Sequence, residues 1–141
     1  MKKVLVAIDI ARGGGNNSCV KIAQDIAGTM GAELVLLHVI EPISGYIALE
    51  IPANLLEKRK SKAEDELRKL AELYKCSDVV VREGAPATEI LEYASQINAD
   101  LIVLNSHDPG LATYFLGSVA SRVARHAHCS VYVVRQPGDH I

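Results

Sequence analysis

Residues Leu101–Arg135 read LIVLNSHDPGLATYFLGSVASRVARHAHCSVYVVR, and the order of the parts decides the fold. Taken with the residue before it, "DLIVL" (Asp100 to Leu104) suits a strand buried on both faces. A polar connection carrying a Pro-Gly pair follows from Asn105. Gly117-Ser118 opens a helical pattern that runs to about Ala127, and "SVYVV" from Ser130 to Val134 is a second strand. A helix between two strands is the crossover that a parallel pair requires, whereas only antiparallel strands can be joined by a two-residue hairpin.

The same alternation extends back to the start. "KVLVAI" (Lys3 to Ile8) is a β-branched strand ending at Asp9. After the loop "ARGGGNNS", Ser18 is placed to cap a helix whose apolar stripe is Cys19, Ile22, Ala23, Ile26, Ala27 and Met30; Gly31 stops it. "ELVLLHV" (Glu33 to Val39) is the second strand, followed by a long loop with two prolines. Leu55 to Tyr74 is an amphipathic helix with Leu56, Ala63, Leu67, Leu70 and Leu73 inward and its charges on a solvated face. "DVVVRE" (Asp78 to Glu83) is the third strand. Gly84 turns the chain, and Pro86 suits the first turn of a helix carrying Ile90, Leu91, Ala94 and Ile97. Five strands with four helical segments between them predict an α/β fold: a doubly wound parallel sheet with helices on both faces. No linker or repeat divides residues 1–141, so a single domain is expected.

Composition narrows the function. The chain has 141 residues, 49% of them hydrophobic, with one Phe and no Trp, so the core is built from aliphatic side chains. A formal charge of −2 with interspersed signs lacks the basic stripe that nucleic acid requires. No stretch approaches the roughly 18 apolar residues of a membrane span. Cys19, Cys76 and Cys129 have no metal-ligand spacing and read as reduced, packed thiols of a cytoplasmic protein.

In a doubly wound sheet, ligands sit beyond the carboxyl ends of the strands where the strand order reverses. That points to the segments after Asp9, Val39 and Asn105. At Gly117-Ser118, a helix N-terminus offers amides without intrahelical partners and the positive end of the helix dipole, which together suit a phosphate. The residues leave two roles open for Ser118, helix cap or anion donor. Asp9 reads as a loop cap or a ligand contact, and His107 as a solvated loop residue or a further donor. His38, within a strand, reads as a satisfied core or rim histidine. "RGGGNN" fits neither the Walker A pattern nor the dinucleotide fingerprint, and Gly13–Gly15 reads as a lid. A phospho-receiver domain would need an acidic cluster after the first strand and a Lys after the fifth, where this chain has one acid and Arg135.

The blocks "VLVAID", "LVLLHVI", "EGAPATEIL" and "ADLIVLNSH…LGSVASRVARHAHCSVYVVR" resemble the universal stress protein family along nearly the whole chain. That resemblance implies strand order 3-2-1-4-5 and, in many members, ATP binding through a motif G-x2-G-x9-G-S/T. Here Asn105 and Asp108 replace the first two glycines, and eight residues rather than nine precede Gly117. Asn and Asp best tolerate a left-handed backbone, while Asp108 would repel a phosphate about 4 Å away by roughly 1 kcal/mol in water. "SHDPGLATYFLGS" matches a shortened loop, S-H-x-P-x3-T-Y-x-L-G-S, of a subgroup that looks able to bind ATP.

The resemblance implies that Asp9 reaches the adenosine, the Val39 backbone reads the adenine edge and Ala7 flanks the base. Asn105, Ser106, His107, Gly117, Ser118 and Val119 would serve ribose and phosphates. The expected ligand is ATP, AMP or ADP, with magnesium screening a polyphosphate. Without a loop Lys or Arg or a committed carboxylate pair, a nucleotide-dependent stress-response regulator with little turnover is expected; a slow ATPase and a nucleotide-free dimeric interaction protein are the alternatives. An apolar last strand at the sheet edge predicts a homodimer through Val131 to Val134.

Overall fold

A computed structural model describes residues 2–10, 16–43, 45–106 and 116–135. Ten elements follow in order: β1 (Lys3–Ala7), α1 (Asn16–Met30), β2 (Glu33–Ile40), α2 (Gly45–Ala48), α3 (Ala53–Tyr74), β3 (Asp78–Glu83), α4 (Pro86–Gln96), β4 (Leu101–Asn105), α5 (Ser118–His126) and β5 (Ser130–Val134). The strands form one parallel sheet in the order β3-β2-β1-β4-β5, as expected.

Continuous aliphatic runs make the central strands dry on both faces. Val4, Val6, Leu34, Leu36 and Val103 face α1 and α3, packing against Cys19, Ala23, Ala27 and Leu67. Leu5, Ala7, Val35, Leu37, Ile102 and Leu104 face α4 and α5, packing against Ala87, Ile90, Ala94, Ala120 and Val123. The period of two along each strand therefore splits the core into two layers. At the amino end of the sheet, the Lys3 amide donates to the Asp100 carboxylate at 2.9 Å, and the Asp100 amide donates back to the Lys3 carbonyl at 2.9 Å. Arg82 ties edge strand β3 to α4 through the Glu89 carboxylate at 2.8 Å, with its guanidinium 5.6 Å from the Tyr93 ring centre.

Some local expectations are corrected. α1 already runs from Asn16, so Ser18 lies in its first turn and does not cap it. The long loop after β2 contains the short helix α2. α3 begins at Ala53 and its inward stripe is shorter than the periodicity implied. Ala63 and Leu67 are buried, but Leu56 and Leu73 are exposed, and Tyr74 packs on the core in place of Leu73. Pro52 through Lys62 are all exposed, because these first turns overhang the carboxyl end of the sheet. No described helix is long and apolar enough to cross a membrane.

Candidate functional site

The strand order reverses at β1, whose neighbours are β2 on one side and β4 on the other. Beyond the carboxyl ends of these strands lies a cleft of about 510 Å³, within the range of small-molecule sites. Its floor is the strand ends: Ala7, Asp9, Leu37, Val39, Leu104 and Asn105. Pro86 and Ile90 of α4 and Val119 and Ala120 of α5 close one side, and Arg59, Lys62, Ala63 and Glu66 of α3 close the other.

Backbone pairing fixes the relation between Asp9 and Val39. The Ile8 amide donates to the Leu37 carbonyl at 3.0 Å, extending the β1–β2 ladder to the residue before Asp9. His38 adds a second restraint from its buried position. Its Nδ1 lies 3.1 Å from the Ile8 carbonyl oxygen and 3.4 Å from the Ile10 amide nitrogen. One tautomer donates to Ile8 and the other accepts from Ile10; either ties β2 to the backbone flanking Asp9. The expectation of a satisfied rim histidine holds, and His38 also positions the exit of β1.

Two further hydrogen bonds pin the ends of the β4–α5 connection. The Ser106 amide donates to the Val134 carbonyl at 2.9 Å, and the Gly117 amide donates to the Ser106 carbonyl at 2.8 Å. Ser106 is fully buried. Gly117 is the N-cap residue of α5, with φ −65° and ψ 165° and no side-chain cap. Ser118 is therefore the first helical residue, exposed at the leading end, and the capping role is not the one it takes. The first helical hydrogen bond runs from the Ser121 amide to the Gly117 carbonyl at 2.9 Å.

Of the nine candidate residues, Ala7, Asp9, Val39, Asn105 and Val119 line the cleft together. Ser106, Gly117 and Ser118 form the base and helix end next to it and are not among its described lining. His107 lies outside the described residues, as do Asp108 and Gly13–Gly15. Among the described residues no cluster of three or more His, Cys, Asp or Glu could hold a metal. Arg122 and Arg125 are exposed on α5.

The α3 wall is what the sequence reading missed. The charges of this helix were read as one solvated face, yet Arg59, Lys62 and Glu66 stand over the cleft. The available signal was spacing: Arg59 and Glu66 lie four and three residues from Ala63, Lys62 lies three from Arg59 and four from Glu66, and residues three and four apart share a helix face.

The universal stress protein family matches this chain over residues 1–135. Universal stress protein MJ0531 of Methanocaldococcus jannaschii is 36% identical over 125 residues, covering 83% of this chain and 73% of that protein. The solved structure of universal stress protein UspA from Lactobacillus plantarum superposes with a TM-score of 0.79 at 25% identity, covering 95% of this chain and 97% of the other. A universal stress protein solved in complex with cAMP shares the fold, with a TM-score of 0.69 at 24% identity over 95% of this chain and 96% of that one. With the strand order, the cleft at its reversal and a match along most of its length, the chain belongs to the universal stress protein family.

Proposed function

We propose that this protein binds an adenine nucleotide, ATP in the first instance, and acts in the cytoplasm as a nucleotide-dependent regulator of the stress response with little or no turnover. The observation that carries this reading is the cleft at the sheet's reversal point, where Ala7, Asp9, Val39, Asn105 and Val119 meet. Its α4 and α5 side, Pro86, Ile90, Val119 and Ala120, offers an apolar wall for a base, while Asp9 and Asn105 supply polar contacts for a sugar. The leading end of α5 at Gly117-Ser118 suits the phosphates, with Ser106 beneath it and His107 and magnesium as further phosphate partners. A family relative in complex with cAMP indicates that this fold can hold an adenine nucleotide. Three free thiols fit a reducing compartment.

Catalysis of phosphoryl transfer requires a group that positions the attacking nucleophile together with fixed cations on the transferring phosphoryl. Among the described residues the cleft supplies carboxylates, an imidazole engaged with backbone, and two exposed α3 cations, Arg59 and Lys62, that no ion pair fixes in place, an arrangement better suited to holding an anion than to transferring one. Equilibrium dialysis with labelled ATP, with and without magnesium, tests the reading. Saturable binding below millimolar nucleotide is expected, and its absence would favour the nucleotide-free interaction protein. Turnover faster than about 1 per second, within the ordinary range of enzymes, would overturn the assignment as a regulator. We further propose a homodimer joined edge to edge through Val131 to Val134 of β5.

A further inference from the structure

Among the described residues, Arg59 and Lys62 are the two cations that line the cleft, against three carboxylates at Asp9, Glu41 and Glu66. Both lie on the overhanging turns of α3, where every residue from Pro52 to Lys62 is exposed. Arg59 precedes buried Ala63 by one turn, and Lys62 stands three residues after Arg59 and four before Glu66, so the three line one face of the helix toward the cleft. Among the described residues, neither makes an ion pair. The contrast with α1 is informative. Lys21 and Asp25 pair there at 3.1 Å with the same four-residue spacing that separates Lys62 from Glu66. The α3 cations thus stand over a cleft whose other described charges are all acidic, and no intrahelical partner neutralises them.

We propose that Arg59 and Lys62 read the charge of the ligand, giving this cleft its preference for phosphorylated over bare nucleoside. The proposal rests on the nucleotide reading of the same site and adds to it the residues that set the class of ligand. Without the two cations, the described rim would carry three negative charges and repel any phosphate. With them, attraction is available from α3 as well as from the α5 end. Lys58 and Lys60 are exposed on the same turns but do not line the cleft, so they provide an internal control of equal charge.

The experiment is calorimetric titration of the full chain with adenosine, AMP, ATP and inorganic tripolyphosphate, without magnesium. Three proteins are compared: the native chain, Arg59→Gln with Lys62→Gln, and Lys58→Gln with Lys60→Gln. Gln is a good helix former at exposed positions, so the fold should persist. The cleft-facing pair of substitutions should weaken ATP about tenfold, as expected for two partly solvated charges acting on a polyanion. AMP should lose less and adenosine should change by no more than about twofold, while the control pair leaves all ligands unchanged. Equal losses from the control pair would assign the effect to overall charge and overturn the proposal. Unchanged ATP affinity, or an equal loss for adenosine, would overturn it as well. If the native chain ignores every adenine ligand but holds tripolyphosphate through Arg59 and Lys62, the anion role stands and the nucleotide reading falls. Binding of neither class removes both.

Discussion

Cys19 is fully buried between α1 and the sheet, and burial pushes its thiol from the ordinary 9.0 up to about 12. The folded protein therefore keeps this proton at pH values where the unfolded chain releases it. The stabilisation is complete below about pH 9 and is lost as pH rises toward 12, with a slope of at most about 1.4 kcal/mol per pH unit. Urea midpoints measured from pH 8 to 11 should fall with rising pH, and Cys19→Ala should flatten that fall. An identical slope in the variant would remove Cys19 as its source. Other single residues show what local reading can reach. Gly31 and Gly84 were legible as turns, and both take positive φ, 65° and 151°. At Gly84 a Cβ would stand 2.9 Å from the Glu89 side chain that holds Arg82. Lys75 and Asn98 also take positive φ, at 56° and 53°. Nothing in the identity of a lysine announces that, because the conformation is imposed by the packing on either side.

At the scale of elements, α3 shows why. Its carboxyl end is closed by Lys75 in the left-handed region, φ 56° and ψ 47°, with the Lys75 amide donating to the Ala71 carbonyl. The next amide, that of Cys76, also returns to Ala71 at 2.9 Å, and Ser77 then joins the sheet by donating to the Leu34 carbonyl at 2.8 Å. The turn must be tight for β3 to start in register, so the residue there accepts the strain. Lys75→Gly removes a Cβ from a conformation that disfavours it, and should stabilise the protein by about 0.5–1 kcal/mol. Urea unfolding with an unchanged m-value is the measurement; a loss of stability would mean that the lysine side chain contributes more than its backbone costs. The other end of the helix marks a limit of periodicity. A 3.6-residue pattern identifies the inward face but not where the sheet beneath it stops. Leu56 therefore looked like a core residue, and Arg59 and Lys62 looked like solvent-facing ones. Both readings change once the first turns overhang the strand ends and become a cleft wall.

Across the whole molecule, the strand order 3-2-1-4-5 came with the family resemblance, while the element order and the parallel sheet were legible because each βα unit carries its own signal: a β-branched run, a turn, then an apolar helical stripe. The floor of the site was legible for the same reason, since strand ends in a parallel sheet converge where the order reverses. Its walls depend on how helices lie across the sheet, which no local pattern encodes. The two edges of the sheet lead to the last prediction. β3 carries Asp78, Arg82 and Glu83, charges that discourage pairing with another strand. β5 carries no charge along Ser130–Val134, and Tyr132 is 46% exposed on the face that Val134 shares with the α1 core. Val131 and Val133 turn the other way and pack toward α4 and α5. An uncharged edge with an exposed tyrosine is suited to a second copy of itself across a two-fold axis. Sedimentation at micromolar concentration should therefore find a dimer. Tyr132→Glu should shift it to monomer, because like charges would face one another near the axis, while far-ultraviolet circular dichroism stays that of the native fold. A native chain that sediments as a monomer, or a Tyr132→Glu variant that remains dimeric, would place the contact elsewhere or remove it.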